Sequence, residues 1–394
     1  MTSTTEPATG DVSPPTPRTR LHYVDHLRVV LTILVVLHHA AVTYGNIPVW
    51  FYTEPAQDPS GVLLDVFVIV NQTFFMGMFF LIAGYFVPGA FDRKGRRGFV
   101  RERLVRLGVP LLLFLVLLRP ITMAPAYSEI LQAEPDLPLW LLYLLSVDPG
   151  PLWFVEVLLV MSLVYSLVRR LRDRRSTGAE PEAVSATGAP SERGPLRWFV
   201  PVTVFAVGLG LVTFLWRWAF PAPYWPVVGL PSPGYLPQYV SLFVVGILAY
   251  RGDWARRLPG RAGPVGLVTA LVALVVMAVG MAGPLDEAAL TPGSWQALVQ
   301  ILVESFFTLG VILALLVFFR RFVNRSGRLW RFLSDNAFAV YVLHAVVLVG
   351  LGLVLSGWEA AAVTKFAALS ALAVPLCWGA AALVRTIPWV RRVL

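Results

Sequence analysis

Apolar runs alternate with short polar, arginine-rich segments along almost the whole chain, and most runs reach the roughly 20 residues a helix needs to cross a bilayer. Their positions predict ten spans, near residues 27–46, 62–87, 107–125, 152–169, 198–218, 235–250, 264–283, 297–319, 332–356 and 362–386. The expected fold class is therefore all-α, a polytopic membrane helix bundle of about ten transmembrane helices.

The charges between the runs set an orientation. With the N-terminus inside, all but three of the 32 Lys and Arg fall at the N-terminus, in 92–106, 169–197, 251–262 and 320–331, or at the C-terminus. This is the excess expected of cytoplasmic loops, so both ends are predicted inside. The exceptions are Arg119, Arg217 and Lys365, while the outer loops carry acids such as Glu54, Asp58, Asp148, Asp286 and Glu359.

Composition agrees. The 394 residues are 57% hydrophobic and only 14% charged, with a mean hydropathy of +0.70, which excludes an ordinary water-soluble domain. The net charge of +9 does not imply nucleic acid as a partner, because the basic residues flank helices and do not gather on one soluble module. Cys377 stands alone, so an intramolecular disulfide or Cys-rich metal site is excluded.

Residues 1–20, rich in Thr and Pro without an apolar core, are expected to form a disordered cytoplasmic tail. Residues 21–394 then form the membrane domain, with a polar cytoplasmic linker at 171–196 between four spans and six. The outer segment 126–151 contains LPLWLLYLL among prolines. It reads as an interfacial or re-entrant helix, or else as a short eleventh span.

Ionisable and amide groups inside spans cost roughly 2.5–3.5 kcal/mol each at mid-bilayer on insertion scales, so each calls for a partner or a purpose. They are His38, His39, Asp65, Asn71, Gln72, Arg119, Glu156, Gln300, Glu304, Asn336, Tyr341 and His344. Arg28 and His39, eleven residues apart, fall within about 20° of the same helical face, with about 16 Å of rise between them. One face of the first span thus carries a guanidinium at the cytoplasmic rim and an imidazole near mid-membrane, with Asp25 beside Arg28. A neutral imidazole can take a proton from an attacking hydroxyl and return it, although His38 or His39 can equally serve as a helix-to-helix hydrogen bond.

These residues resemble the membrane-bound acyltransferase-3 family, and the likeness covers nearly the whole chain. YVDHLRVVLTILVVLHHA is similar to the family's opening Arg, ten residues and His, a spacing that selects His39 over His38. FFMGMFFLIAGYF with FVRERLVRLGVP, PLWFVEVLL and LSDNAFAVYVLHAVV are similar to three further motifs in family order, although Ala83 stands where Ser is frequent.

The resemblance implies an O-acyltransferase of the bacterial cytoplasmic membrane. It would move an acyl group, acetyl or succinyl, from cytoplasmic acyl-CoA to a hydroxyl of an extracytoplasmic glycan or glycolipid. Acyl-CoA is expected as a donor substrate, with no permanently bound cofactor. His39 is expected as the catalytic base, or alternatively as a transient acyl carrier, and Glu156 as a carboxylate that orients His39 or the acceptor hydroxyl. Arg28, Arg103 and Arg106 are expected to bind donor phosphates, with Asp25 holding Arg28.

Trp153, Tyr341 and His344 are expected at the same cavity, and Glu304 is expected to pair with Arg119. No metal site is expected, because the five His do not occur with acids in a ligand spacing. A transporter or flippase whose route is lined by the same groups is the alternative; it predicts matching half-repeats, which the sequence lacks.

Overall fold

The structure, a computed structural model, describes residues 21–47, 49–176, 198–221, 233–281 and 291–394. The expected tail at 1–20 and most of the expected linker lie outside the described residues, as do Asp286 and Glu287. The described residues form helices and connections, with no strand among them.

Eight helical stretches are long and apolar enough to cross a membrane. One of them, Gly61–Ala133, has 73 residues, about 110 Å if straight, against a hydrocarbon core of about 30 Å. It accommodates two passes because the chain bends at Gly95, whose φ of 65° and ψ of 170° break the helix. Only glycine adopts that conformation without steric cost. A further helix, Leu236–Arg251, has 16 residues and packs along the second span. The passes thus match the ten expected from hydropathy.

In chain order the helices are α1 (His22–Tyr44), α2 (Gly61–Arg103), α3 (104–133), α4 (Leu139–Leu145), α5 (Trp153–Ser176), α6 (Phe199–Trp216), α7 (Leu236–Arg251), α8 (Ala262–Met281), α9 (Trp295–Phe322), α10 (Arg328–Val354), α11 (Ala362–Val384) and α12 (Pro388–Val393). Within α3, π-helical turns at Leu104–Gly108 and Phe114–Leu118 each precede a proline, Pro110 and Pro120. The wider turns accommodate residues that have no N–H to donate. The outer segment of uncertain type forms α4, whose seven residues extend about 10 Å and are too short to span. Its Leu139, Trp140, Leu144 and Leu145 are exposed, as suits a helix lying at the interface.

α1 is the central helix, packed against α2, α9, α10 and α11. Its Leu27, Val29, Leu31, Val36 and Ala40 have no exposed surface, whereas α8 exposes Leu267, Val268, Leu271, Val272 and Val275. In a membrane, such an apolar outer face meets lipid at no cost.

Small residues bring the helices close. A Cβ on Gly84 would lie 2.1 Å from the Phe243 carbonyl oxygen, and one on Gly246 would lie 2.2 Å from that of Leu81. This contact joins α2 to α7, and Gly266 and Gly310 join α8 to α9 in the same way. A polar seam reinforces the first joint: the Gln238 amide donates to the Thr73 carbonyl at 2.7 Å and to the Thr308 hydroxyl at 2.9 Å.

At the acid-rich end, Asp58 accepts from the backbone N–H groups of Ser60 and Ala362 at 2.9 and 2.8 Å, so it caps α11 from a connection some three hundred residues away. The Ser60 hydroxyl first, then the Ala362 and Ser60 amides, hold its carboxyl below the usual carboxylate range.

Gly84→Leu is expected to separate α2 from α7 and to leave little folded protein. Size-exclusion and thermal denaturation in detergent would show it as aggregation or a markedly lowered Tm, whereas the same change at Gly208, which has open space around it, should leave both nearly unchanged.

Candidate active site

α1 carries the central group of the site. His39 lies 17 residues from the start of the helix and five from its end, roughly 26 and 8 Å along the axis. The imidazole therefore sits nearer the acid-rich end than the mid-membrane position expected. Its Nδ1 is 2.9 Å from the carbonyl oxygen of Val35, one turn earlier. In the neutral ring this contact places the proton on Nδ1, and Nε2 keeps its lone pair. The Trp50 ring stacks on the imidazole with centroids 4.0 Å apart, and His344 lies 5.0 Å away.

On the other side of His39 is a cavity of about 40 Å³, lined by Val35, His38, His39, Gln72, Phe75, Met76, Pro151, Trp153 and Tyr341. Each wall has a local cause. Val35 and His39 are four apart on α1, and Gln72 and Met76 are four apart on α2, so each pair shares a helical face. The Tyr341 hydroxyl donates to the Pro151 carbonyl, which fastens α10 to the connection before α5. Gln72 donates to the Tyr239 hydroxyl at 3.1 Å, and Asn71 lies 3.3 Å from His38 Nδ1.

The acid-rich side of the site is roofed by two connections. Arg119, which is 2% exposed, pairs with Asp148 at 2.6 Å, donates to the Ser146 carbonyl and covers the Phe51 ring at 5.6 Å. Phe51 in turn sits on Gly150, where a Cβ would lie 2.6 Å from its ring. Gly150 also has φ of +48°, so both space and backbone favour glycine there. Arg119 is thus a rivet for the roof over Trp50 and Pro151.

The structure brings together His39, Trp153 and Tyr341 of the expected site residues, with His344 behind the His39 ring. Glu156 is half-buried and is not among the cavity walls. The backbone carbonyl of Val35 orients His39 in place of the expected carboxylate. Asp25 and Arg28 form a pair at 3.8 Å at the arginine-rich end of α1. Arg103 and Arg106 occupy the same end of the bundle, Arg103 with its guanidinium 5.0 Å from the Phe99 ring and its buried Nε without a hydrogen-bond partner. Arg106 is 3.8 Å from Glu102.

The expected Arg119–Glu304 pair does not form. Glu304 instead accepts from Arg217 at 2.9 Å, because α9 packs on α6 while Arg119 lies beside the 146–148 connection. Trp50 and Pro151 are functional candidates that the sequence did not signal, since both come from connections; Gln72 was visible as an amide in a span but without a role. No group of three or more potential metal ligands occurs among the described residues.

The arrangement offers a neutral base facing a small enclosed space, with a phenol and an amide in its walls. A protein-family model described as an acyltransferase domain matches residues 21–382. No curated protein and no solved structure matches the chain.

Asp148→Ala should free the roof without unfolding the bundle. A stability loss of about 1–2 kcal/mol is expected, because Asp148 is partly exposed and water screens some of the pairing. Hydrogen–deuterium exchange should quicken in 49–52 and 146–152 and stay unchanged in α8 and α9.

Proposed function

We propose, on the premise that the chain belongs to the membrane acyltransferase-3 family, that it transfers an acyl group from cytoplasmic acyl-CoA to a hydroxyl of an extracytoplasmic glycan or glycolipid, with His39 as the general base. The observation that carries this reading is the His39 ring itself: it lines a cavity inside the bundle, and its Nδ1 is committed to the Val35 carbonyl, which leaves Nε2 for proton transfer.

The arginine-rich end is the cytoplasmic one by the distribution of basic residues, and the membrane is the bacterial cytoplasmic membrane. The donor's phosphates are held there by Arg28, Arg103 and Arg106, whose guanidinium groups pair with phosphate oxygens. The unpartnered Nε of Arg103 supports that role. From the Arg28 level the rise to His39 is about 16 Å, a distance the extended arm of coenzyme A can bridge. The Trp50 and Pro151 roof lies on the side from which the acceptor approaches.

In the reaction, Nε2 of His39 takes the proton of the acceptor hydroxyl as its oxygen attacks the thioester carbonyl. A carbon–oxygen bond forms, the tetrahedral intermediate collapses, and the carbon–sulfur bond breaks. The leaving thiolate of coenzyme A receives the proton from His39, which restores the neutral ring. Trp50 stacking and the Val35 hydrogen bond hold the ring in one orientation throughout, so no side-chain entropy is lost at the moment of transfer.

His39→Ala, in protein that still inserts and runs as a single species, should lower turnover by about 10²–10⁴-fold with little change in the Michaelis constant for the donor. Retained acyl transfer in that variant would remove His39 from the mechanism. The double variant Arg103→Ala, Arg106→Ala should do the reverse, raising the donor's Michaelis constant by about tenfold or more, as loss of charge-assisted hydrogen bonds of about 1.5–3 kcal/mol each implies. An unchanged constant would show that these two arginines serve topology alone.

A further inference from the structure

The walls of the cavity at His39 carry a statement about the acyl group. This inference rests on the function proposed above and narrows it. The space is about 40 Å³, and a water-sized group needs about 10–15 Å³ of it, so roughly three such groups fit. An acetyl group supplies that many: a methyl, a carbonyl carbon and its oxygen. A butyryl chain adds two methylenes, and a succinyl group adds two methylenes and a carboxylate.

Charge decides in the same direction as size. None of the nine wall residues, Val35, His38, His39, Gln72, Phe75, Met76, Pro151, Trp153 and Tyr341, is a Lys or Arg. The buried cations nearest in kind are already engaged, Arg119 by Asp148 and Arg217 by Glu304. A succinyl carboxylate placed here would be a buried anion without a counter-charge, which costs several kcal/mol.

The wall that limits the length of the acyl group is also well supported. Met76 is 3% exposed, Phe75 is 3% exposed and Val35 is 1% exposed, and Phe75 stacks on the His38 ring at 5.1 Å. Close-packed walls of this kind yield little to an added methylene.

We infer that the enzyme is selective for acetyl donors, with Val35, Phe75 and Met76 as the wall that excludes longer acyl groups and the absence of a cation as the feature that excludes succinyl. The chemistry is unchanged: acetyl leaves sulfur for the acceptor oxygen, and the hydroxyl proton passes through His39 to the coenzyme A thiolate.

The test uses the full chain in nanodiscs with acetyl-, propionyl-, butyryl- and succinyl-CoA, and with N-acetylglucosamine and glycerol as acceptor alcohols. Release of coenzyme A thiol above that of His39→Ala is the signal. Acetyl should be preferred by about tenfold or more over each longer or charged donor, since one methylene in a shaped pocket discriminates by about that factor. Met76→Ala should raise the butyryl-to-acetyl ratio by about tenfold while leaving succinyl poor.

Butyryl or succinyl turnover at the acetyl rate in the unaltered protein would overturn this inference and leave the acyltransferase reading intact. A Met76→Ala ratio equal to that of the unaltered protein would remove Met76 from the limiting wall. No thioester turned over above the His39→Ala level would overturn the acyltransferase reading, and this inference with it.

Discussion

A polar group inside a bilayer has no water to fall back on, and the interior of this protein is organised by that constraint. Gln238 spends its amide hydrogens on Thr73 and Thr308, Arg217 is matched by Glu304, and Arg119 by Asp148. Each of these contacts closes a joint between helices or fastens a connection to one. Against that background His39 differs in kind: one ring nitrogen is satisfied within its own helix, and the ring borders empty space.

The placement of that space follows from how the bundle is assembled. α1 is enclosed by four other helices, so its side chains reach no lipid and are free to be polar where a cavity remains. The glycine contacts that draw α7 against α2 also bring Tyr239 to Gln72, which fixes one wall. Tyr341 fixes the opposite one by reaching from α10 to the Pro151 carbonyl. Trp50 and the 146–152 connection close the acid-rich side, held by Arg119. The resulting site is built from five separate parts of the chain, and its rigidity comes from joints that do not themselves touch the reacting atoms.

The two ends of the bundle are chemically unlike. One carries nearly all the guanidinium groups, including Arg28, Arg103 and Arg106; the other carries aromatic and acidic connections over His39. A reaction between an anionic phosphate-bearing donor and a neutral hydroxyl has the same asymmetry. An imidazole about 8 Å from the acid-rich end of its helix stands closer to the acceptor than to the donor's phosphates, so the donor is the partner that must reach.

The sequence by itself determined the number of passes, the helical class and the face shared by Arg28 and His39, because hydropathy and helical periodicity are local properties that survive any packing. The family motifs also named His39, Trp153 and Tyr341, which prove to share one cavity. Only the tertiary structure decided who pairs with whom. Arg119 and Glu304 have complementary charge but stand on elements that do not meet. Glu156 has the right chemistry, yet the orienting bond comes from a backbone carbonyl that no sequence motif marks. Trp50 reaches the imidazole from a connection whose path is set by Phe51, Gly150 and Arg119 together. Pairing depends on distances between segments remote in the chain, and those distances exist only after the helices have packed.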